Sequence, residues 1–193
     1  MKDPNYPEIK PLEPKPVTID VNKTALMVLE LSGYCDDPEY FCSPLIPGIT
    51  ELLEKARAAG ILTIFTLPFP WKELPHGHVY KGFKRKPNEL LIFVPGFDKF
   101  IGGELQTLLT LFNIDTLLLC GGKANMAVLY TATRGAQEYG YNIVIPVDGI
   151  AASTDYEKEY ALFHLRAMPD KSLLKKFTYT TMDTISFGAS EQS

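Results

Sequence analysis

Short apolar runs alternate along this chain with longer stretches in which apolar residues recur at helical spacing. Ala25-Leu26-Met27-Val28-Leu29-Glu30 is such a run and predicts a buried strand that ends on an acid. Pro47-Gly48 then opens a helical pattern carried by Ile46, Ile49, Leu52, Leu53 and Ala56, with Gly60 placed for a left-handed stop. Ile61 to Thr66 predicts the next strand, and Leu90 to Val94 a third, closed by Pro95-Gly96. Leu105, Leu108, Leu109 and Phe112 mark a helix that ends at Asn113. Thr116 to Cys120 predicts a fourth strand, followed by Gly121-Gly122, and Asn125 to Tyr139 a helix stopped by Gly140. Tyr141 to Val147 reads as a fifth strand ending at Asp148. Thr154 and Glu157 have capping-box spacing for a helix through Arg166, and Phe177 to Thr180 reads as a sixth, shorter strand.

Strands that alternate with helices, with few polar interruptions, predict an α/β fold whose mainly parallel sheet is covered on both faces. Ligands of such sheets collect at the C-terminal strand ends, here Glu30, Leu67, Val94, Cys120–Gly122 and Asp148. Two stretches break the alternation. Residues 1–22 carry Pro4, Pro7, Pro11, Pro14 and Pro16 and read as an extended arm, either a strap over the domain or a contact with a neighbouring subunit. Leu67 to Asn88 is polar, Pro-rich and too irregular for a core element. The expected organisation is an arm over 1–22 and one domain over 23–193.

Composition narrows the classes. The chain has 193 residues, 46% apolar and 22% charged, which is ordinary globular usage and argues against disorder as the main state. A net charge of −4 supplies no broad basic surface for nucleic acid or acidic lipid. Apolar runs such as Leu117 to Cys120 are far too short to cross a bilayer, and Met1 to Asn22 lacks the apolar stretch of a signal peptide. The three cysteines, Cys35, Cys42 and Cys120, form an odd set without paired spacing, which argues against a disulfide scaffold or a zinc knuckle. Three free thiols in a reducing cytoplasm are expected.

The strand-end residues carry a resemblance. Thr24-Ala-Leu-Met-Val-Leu-Glu30-Leu, Ile114-Asp-Thr-Leu-Leu-Leu-Cys-Gly, Leu119-Cys-Gly-Gly-Lys-Ala-Asn125-Met-Ala-Val128, Thr131-Ala-Thr and Val147-Asp-Gly-Ile-Ala-Ala-Ser153 together resemble the isochorismatase-like cysteine hydrolases, relatives of nicotinamidase and N-carbamoylsarcosine amidase. The resemblance runs from about Lys23 to Phe187. It implies one three-layer α/β/α, Rossmann-like domain with a mainly parallel sheet of about six strands, and hydrolysis of small amides or of the vinyl ether of isochorismate. In the amidases of that family a Cys attacks, a Lys lowers the thiol pKa, an Asp carries the proton, and N–H groups shaped by a cis peptide hold the oxyanion.

Carried across, the Asp position is Glu30, the Lys position, counted back from Phe100, is Val94, and the nucleophile position, two residues after Asn125, is Ala127. All three differ from the family pattern. Loss of the thiol ends covalent catalysis by that route, and an apolar residue in place of Lys avoids an unpaired buried charge. The first expectation is therefore a family member inactive as a cysteine amidohydrolase, which binds a small ligand in the old cleft or acts through assembly as a homo-oligomer. The second is an active hydrolase of a small amide or vinyl ether that uses Glu30 as acid or base without a thiol.

Other residues have a functional and a plain reading. Gly122, Lys123 and Asn125 stand where a ligand would bind, and Lys123 with the following helix start could attract an anion; the alternative is a surface lysine. Cys120 reads as a small buried thiol. Cys35 and Cys42 lie in the loop after the first strand, near the expected cleft, with no adjacent Lys, Arg or His to activate either. His76 and His78 read as solvated, His164 as structural, and Pro70-Trp71-Lys72 lacks both flanking ligands of the nicotinamidase metal cluster. No metal, cofactor, nucleic acid or membrane is expected as a partner.

Overall fold

The computed structural model describes residues 11–188. In chain order the elements are β1 (Val17–Asp20), β2 (Thr24–Leu29), α1 (Ile46–Ala59), β3 (Leu62–Pro68), β4 (Leu90–Val94), α2 (Glu104–Leu111), β5 (Thr116–Gly122), α3 (Leu129–Gln137), β6 (Asn142–Pro146), β7 (Ile150–Ala151), α4 (Asp155–Arg166), α5 (Lys171–Leu174), β8 (Phe177–Thr180) and β9 (Ile185–Gly188). A seven-stranded sheet runs in the order β4-β3-β2-β5-β6-β8, with β7 beside the end of β5, and every pairing in it is parallel. The chain winds outward from β2 through β3 and β4, returns to β5, and continues to β6 and β8 on the other side. The direction therefore changes between β2 and β5, and the C-terminal ends of these two strands are where such sheets place a ligand crevice.

Period-two alternation explains the layers. In β2, Ala25, Met27 and Leu29 face one apolar cluster, while Leu26 and Val28 face the other. The first cluster is closed by α2, α3 and α4 through residues such as Leu105, Ala132 and Leu162. The second is closed by α1 through Ile49, Leu52 and Leu53. Gly60 ends α1 at φ 75°, Asn113 follows α2 at φ 55°, and Thr154 with Glu157 makes both bonds of the capping box.

Three features depart from the expected organisation. Part of the Pro-rich arm forms a strand: β1 pairs in parallel with β9, Val17 beside Ile185 and Ile19 beside Phe187. Lys15 N–H also donates to Tyr179 O at 2.9 Å, so the described part of the arm straps its own domain. Pro4 and Pro7 lie outside the described residues. The helix expected from Asn125 starts as a π-helical turn over Ala124–Val128 before α3 takes over.

The third departure corrects the cysteine reading. Cys35 and Cys42 are joined in a disulfide, because short 3₁₀ turns fold the loop after β2 back on itself and bring the two Cα atoms to 5.4 Å. An odd cysteine count does not exclude one local pair, and the expectation of a reducing compartment loses its basis. Cys120 is buried in β5. Among the described residues, no helix is long and apolar enough to cross a membrane.

Arg57 of α1 ties the irregular 67–88 stretch and the following Glu89 to the helix layer. Arg57 Nε donates to Glu89 Oε1 at 2.7 Å and Arg57 Nη2 to Glu89 Oε2 at 3.0 Å and to Phe83 O at 2.9 Å. Burial pushes the Glu89 pKa up, but the Arg57 hydrogen bonds and the Lys86 N–H outweigh it and hold the carboxyl below its usual value. Its stabilising contribution is thus present above the unfolded carboxylate pKa and fades as pH falls through the folded one. Arg57→Met is expected to lower unfolding stability in urea by about 3 kcal/mol near neutral pH, with the deficit shrinking in acid. A deficit that stays constant down to about pH 3 contradicts this pairing.

Candidate active site

Three strand ends meet at the crevice. Glu30 directly follows β2 at φ 56°, with its N–H donating to Thr66 O at 2.9 Å at the end of β3. A non-glycine residue in the left-handed region pays about 1 kcal/mol, and the turn it makes aims the carboxylate back over the strand ends. Gly121-Gly122 ends β5, and the Gly122–Lys123 peptide is cis. Gly121 has φ 108°, and a Cβ there would run into the Leu29 carbonyl, so no other residue fits between β5 and β2 at this level.

The third end holds a residue that motif spacing did not find. Lys99 lies in the turn after β4 and is completely buried (0% exposed). Its ammonium donates to Glu30 Oε1 and, at 3.0 Å, to Gly96 O. Its own N–H donates to Thr131 Oγ1 on α3 at 3.1 Å, which fixes the turn. Val94, the residue at the counted Lys position, is a buried apolar side chain of β4. Ala127 is buried in the π-helical turn and belongs to the apolar cluster that also holds Leu29, Val94 and Phe100. Nothing in the sequence marks Lys99; its burial appears only in the fold, where the charge needs a buried carboxylate and Glu30 supplies it.

Glu30 is 8% exposed. Burial pushes its pKa above the ordinary carboxylate value, and the charges of Lys99 and Lys123 oppose that rise without cancelling it. The carboxyl is therefore poised to hold a proton more readily than a surface glutamate, a property suited to an acid catalyst. Lys123 is half-buried rather than a free surface lysine, and its ammonium stands 5.4 Å from the Phe41 ring centroid. Asn125 is half-buried, and its Oδ1 is buried without a protein hydrogen-bond partner. An orphaned acceptor at this turn is a place for a ligand donor or a water.

The disulfide loop roofs the site. Tyr34 stacks on Tyr40 at 5.5 Å and meets the edge of Trp71 at 5.4 Å and His76 at 5.1 Å. Burial, Tyr34 and Glu30 together raise the Tyr40 pKa, which marks Tyr40 as a neighbour of the carboxylate. Phe41 lies against Gly122. Gly33 N–H donates to His76 O and His78 O, and Ser32 bridges to Val79, so the two loops are joined by backbone hydrogen bonds. His78 Nδ1 lies 3.0 Å from Val79 O. Among the described residues, no three His, Cys, Asp or Glu side chains are grouped to hold a metal ion.

None of the sulfurs stands ready as a nucleophile. Cys35 and Cys42 are bonded to each other. Cys120 is sealed in the core, where burial first and then Asp148 push its pKa far above that of a free thiol.

Comparison with known proteins places this geometry. The family model "Isochorismatase domain" matches residues 17–172. An uncharacterized isochorismatase family protein, YecD, from Escherichia coli O157:H7 is 36% identical over 66 residues, 34% of this chain and 35% of YecD, so the match spans about a third of that relative. A cysteine hydrolase from Pseudomonas syringae pv. phaseolicola 1448A superposes with a TM-score of 0.75 at 19% identity, over 90% of this chain and 94% of that one. N-carbamoylsarcosine amidase from Thermoplasma acidophilum superposes with a TM-score of 0.69 at 18% identity, over 83% and 97%. At these identities the two structures speak for the fold.

Two outcomes are expected. In Lys99→Met the buried Glu30 loses the cation that holds its pKa down. Its folded pKa then lies still further above the unfolded value, and ionisation works against folding as pH rises through it. Urea denaturation should show a deficit that grows between about pH 5 and pH 8, reaching about 3 kcal/mol; equal deficits at both would contradict the pairing. Reduction of Cys35–Cys42 with dithiothreitol should loosen the roof and expose Trp71, the single tryptophan, seen as red-shifted emission and stronger acrylamide quenching. Cys35→Ser should give the same signal without reductant, and unchanged emission in both would contradict the roof.

Proposed function

Starting from the chain's membership of the isochorismatase family, to which the match over residues 17–172 assigns it, we propose that this protein is a thiol-independent hydrolase in which Glu30 and Lys99 act as an acid–base pair on a small vinyl ether. One observation carries the reading: the carboxylate and ammonium stand together at the crevice, while all three sulfurs are bonded or sealed.

The bond class follows from the pair itself, a carboxyl with a raised pKa beside an ammonium, which suits proton transfer more than attack on an unactivated amide. A vinyl ether needs only a proton on its terminal carbon. Glu30 supplies that proton, and the substrate becomes an oxocarbenium ion. Water adds to the cationic carbon and returns a proton to Glu30. The hemiketal then splits into an alcohol and a carbonyl compound, so one water is consumed and the acid is regenerated. Lys99 holds Oε1 and leaves Oε2 to face the substrate. Lys123 and Asn125 stand at the cis turn, where they suit a carboxylate and a hydroxyl of the bound molecule.

A second reading keeps the ligand and drops the turnover. The near-complete burial of Glu30 and Lys99 beneath the roof favours it: a closed site binds, and an acid that substrate cannot reach does not react. It retains the small-molecule ligand and a role through assembly.

The test is pyruvate release from an enolpyruvyl ether such as isochorismate, followed with a coupled dehydrogenase. Wild type should turn over with or without iodoacetamide, and Glu30→Gln should lower kcat at least about 100-fold. Ammonia released from nicotinamide and stopped by iodoacetamide would overturn the thiol-free reading. A rise in melting temperature without product would favour binding alone.

A further inference from the structure

Strand β4 forms one edge of the sheet. On its inner side it pairs in parallel with β3, from Leu90 beside Ile64 to Val94 beside Pro68. Among the described residues, no strand pairs with its outer side. In an edge strand, alternate residues turn their N–H and C=O groups away from the sheet, which is the template for an added strand. Protein edges are commonly blunted by a proline, a bulge or a charge within the strand. Leu90-Leu91-Ile92-Phe93-Val94 has no proline and no charge, and its register with β3 is unbroken. Leu91 and Phe93 share one face, where both are half-buried. With Val79 and Tyr80 of the preceding loop they line a cavity of about 380 Å³ beside the edge. A recess in that position takes an alternate side chain of an added strand.

Charge says what the edge would take. The stretch 67–88 carries Lys72, Lys81, Lys84, Arg85 and Lys86 against one acid, Glu73, in a chain whose net charge is −4. Lys81 and Arg85 line the recess itself, and Lys72 Nζ stands 6.0 Å from the Phe93 ring centroid. The acids next to this stretch are already matched. Glu89 accepts from Arg57 and from Lys86 N–H, and Glu54 pairs with Arg57. Lys72, Lys81 and Lys84 are exposed, so positive charge is left over beside the edge. A second copy of this chain, edge to edge, would bring the same cations against these. A nucleic acid would meet the charge but leave the strand's hydrogen-bonding row unused. An extended acidic peptide answers the row, the recess and the charge together.

We propose that the outer edge of β4 is a docking site for an extended acidic segment of a partner protein, which joins the sheet as a further strand and seats an apolar side chain beside Leu91 and Phe93. The probe is a fluorescein-labelled heptapeptide with a central phenylalanine flanked by glutamates, added to the full chain. Fluorescence anisotropy should show binding that weakens as salt is raised. The same peptide N-methylated on alternate backbone nitrogens cannot pair as a strand and should bind at least about 30-fold more weakly. Hydrogen exchange of the amides over 90–94 should slow with the peptide, whereas that over 177–180 should not change. Lys81→Glu combined with Lys84→Glu alters two exposed positions; it should leave the melting curve in place and weaken binding at least about 30-fold. No binding below about 1 mM overturns the proposal. Equal binding of the N-methylated peptide also overturns it, since charge alone would then hold the probe. So does tighter binding of an oligouridylate, which would make the patch a nucleic-acid surface. A dimer that protects 90–94 without peptide overturns it too, because a second copy would then occupy the edge.

Discussion

The buried contact between the Lys99 ammonium and the Glu30 carboxylate is the constraint around which the site is arranged. Two charges taken out of water are tolerated only with close partners and satisfied hydrogen bonds. The structure meets that demand with three separate chain segments. The left-handed turn after β2 aims Glu30, the turn after β4 delivers Lys99 and caps it with Gly96 O, and α3 fixes that turn through Thr131. A hydrophobic pair of similar volume would pack here with less difficulty. A buried charged pair at the sheet's switch point is the feature on which the proposed acid–base role rests.

The same arrangement accounts for what the site lacks. Ala127 packs into the apolar cluster that also holds Leu29 and Val94, and the three cysteine sulfurs are bonded or buried. The Lys99 ammonium is shared between the Glu30 carboxylate and Gly96 O. Burial raises the carboxyl pKa and the two lysines restrain the rise, which leaves Glu30 holding its proton more tightly than an ordinary carboxylate. Glu30 and Lys99 are buried, and the low dielectric of such a position strengthens each of these electrostatic effects.

Much of the fold was legible in the chain. The apolar runs of β2 to β6 and β8, the stop at Gly60 and the Thr154–Glu157 capping box depend on local periodicity and on residue types with a single conformational use. Elements held by partners far away in sequence were not. The strand Val17–Asp20 exists because Ile185–Gly188 lies beside it, and nothing within either segment announces the other. Glu30 and the cis turn at Gly122–Lys123 were readable from the family pattern. Lys99 was not, because counting back from Phe100 assumes a turn of fixed length, whereas a long flexible side chain reaches the same carboxylate from a different backbone position. The Cys35–Cys42 pair was hidden for a related reason: an odd count suggested free thiols, and only the folded loop shows two of them meeting.

The pH dependence of kcat/KM for an enolpyruvyl ether tests the central claim most directly, because it reports the ionisation of the acid in the free protein. The account predicts a single fall in rate as pH rises through a pKa above that of an ordinary carboxylate, displaced in Lys99→Met and absent with the activity in Glu30→Gln. A profile that rises with pH like a thiolate's, or a rate that survives Glu30→Gln, would contradict it.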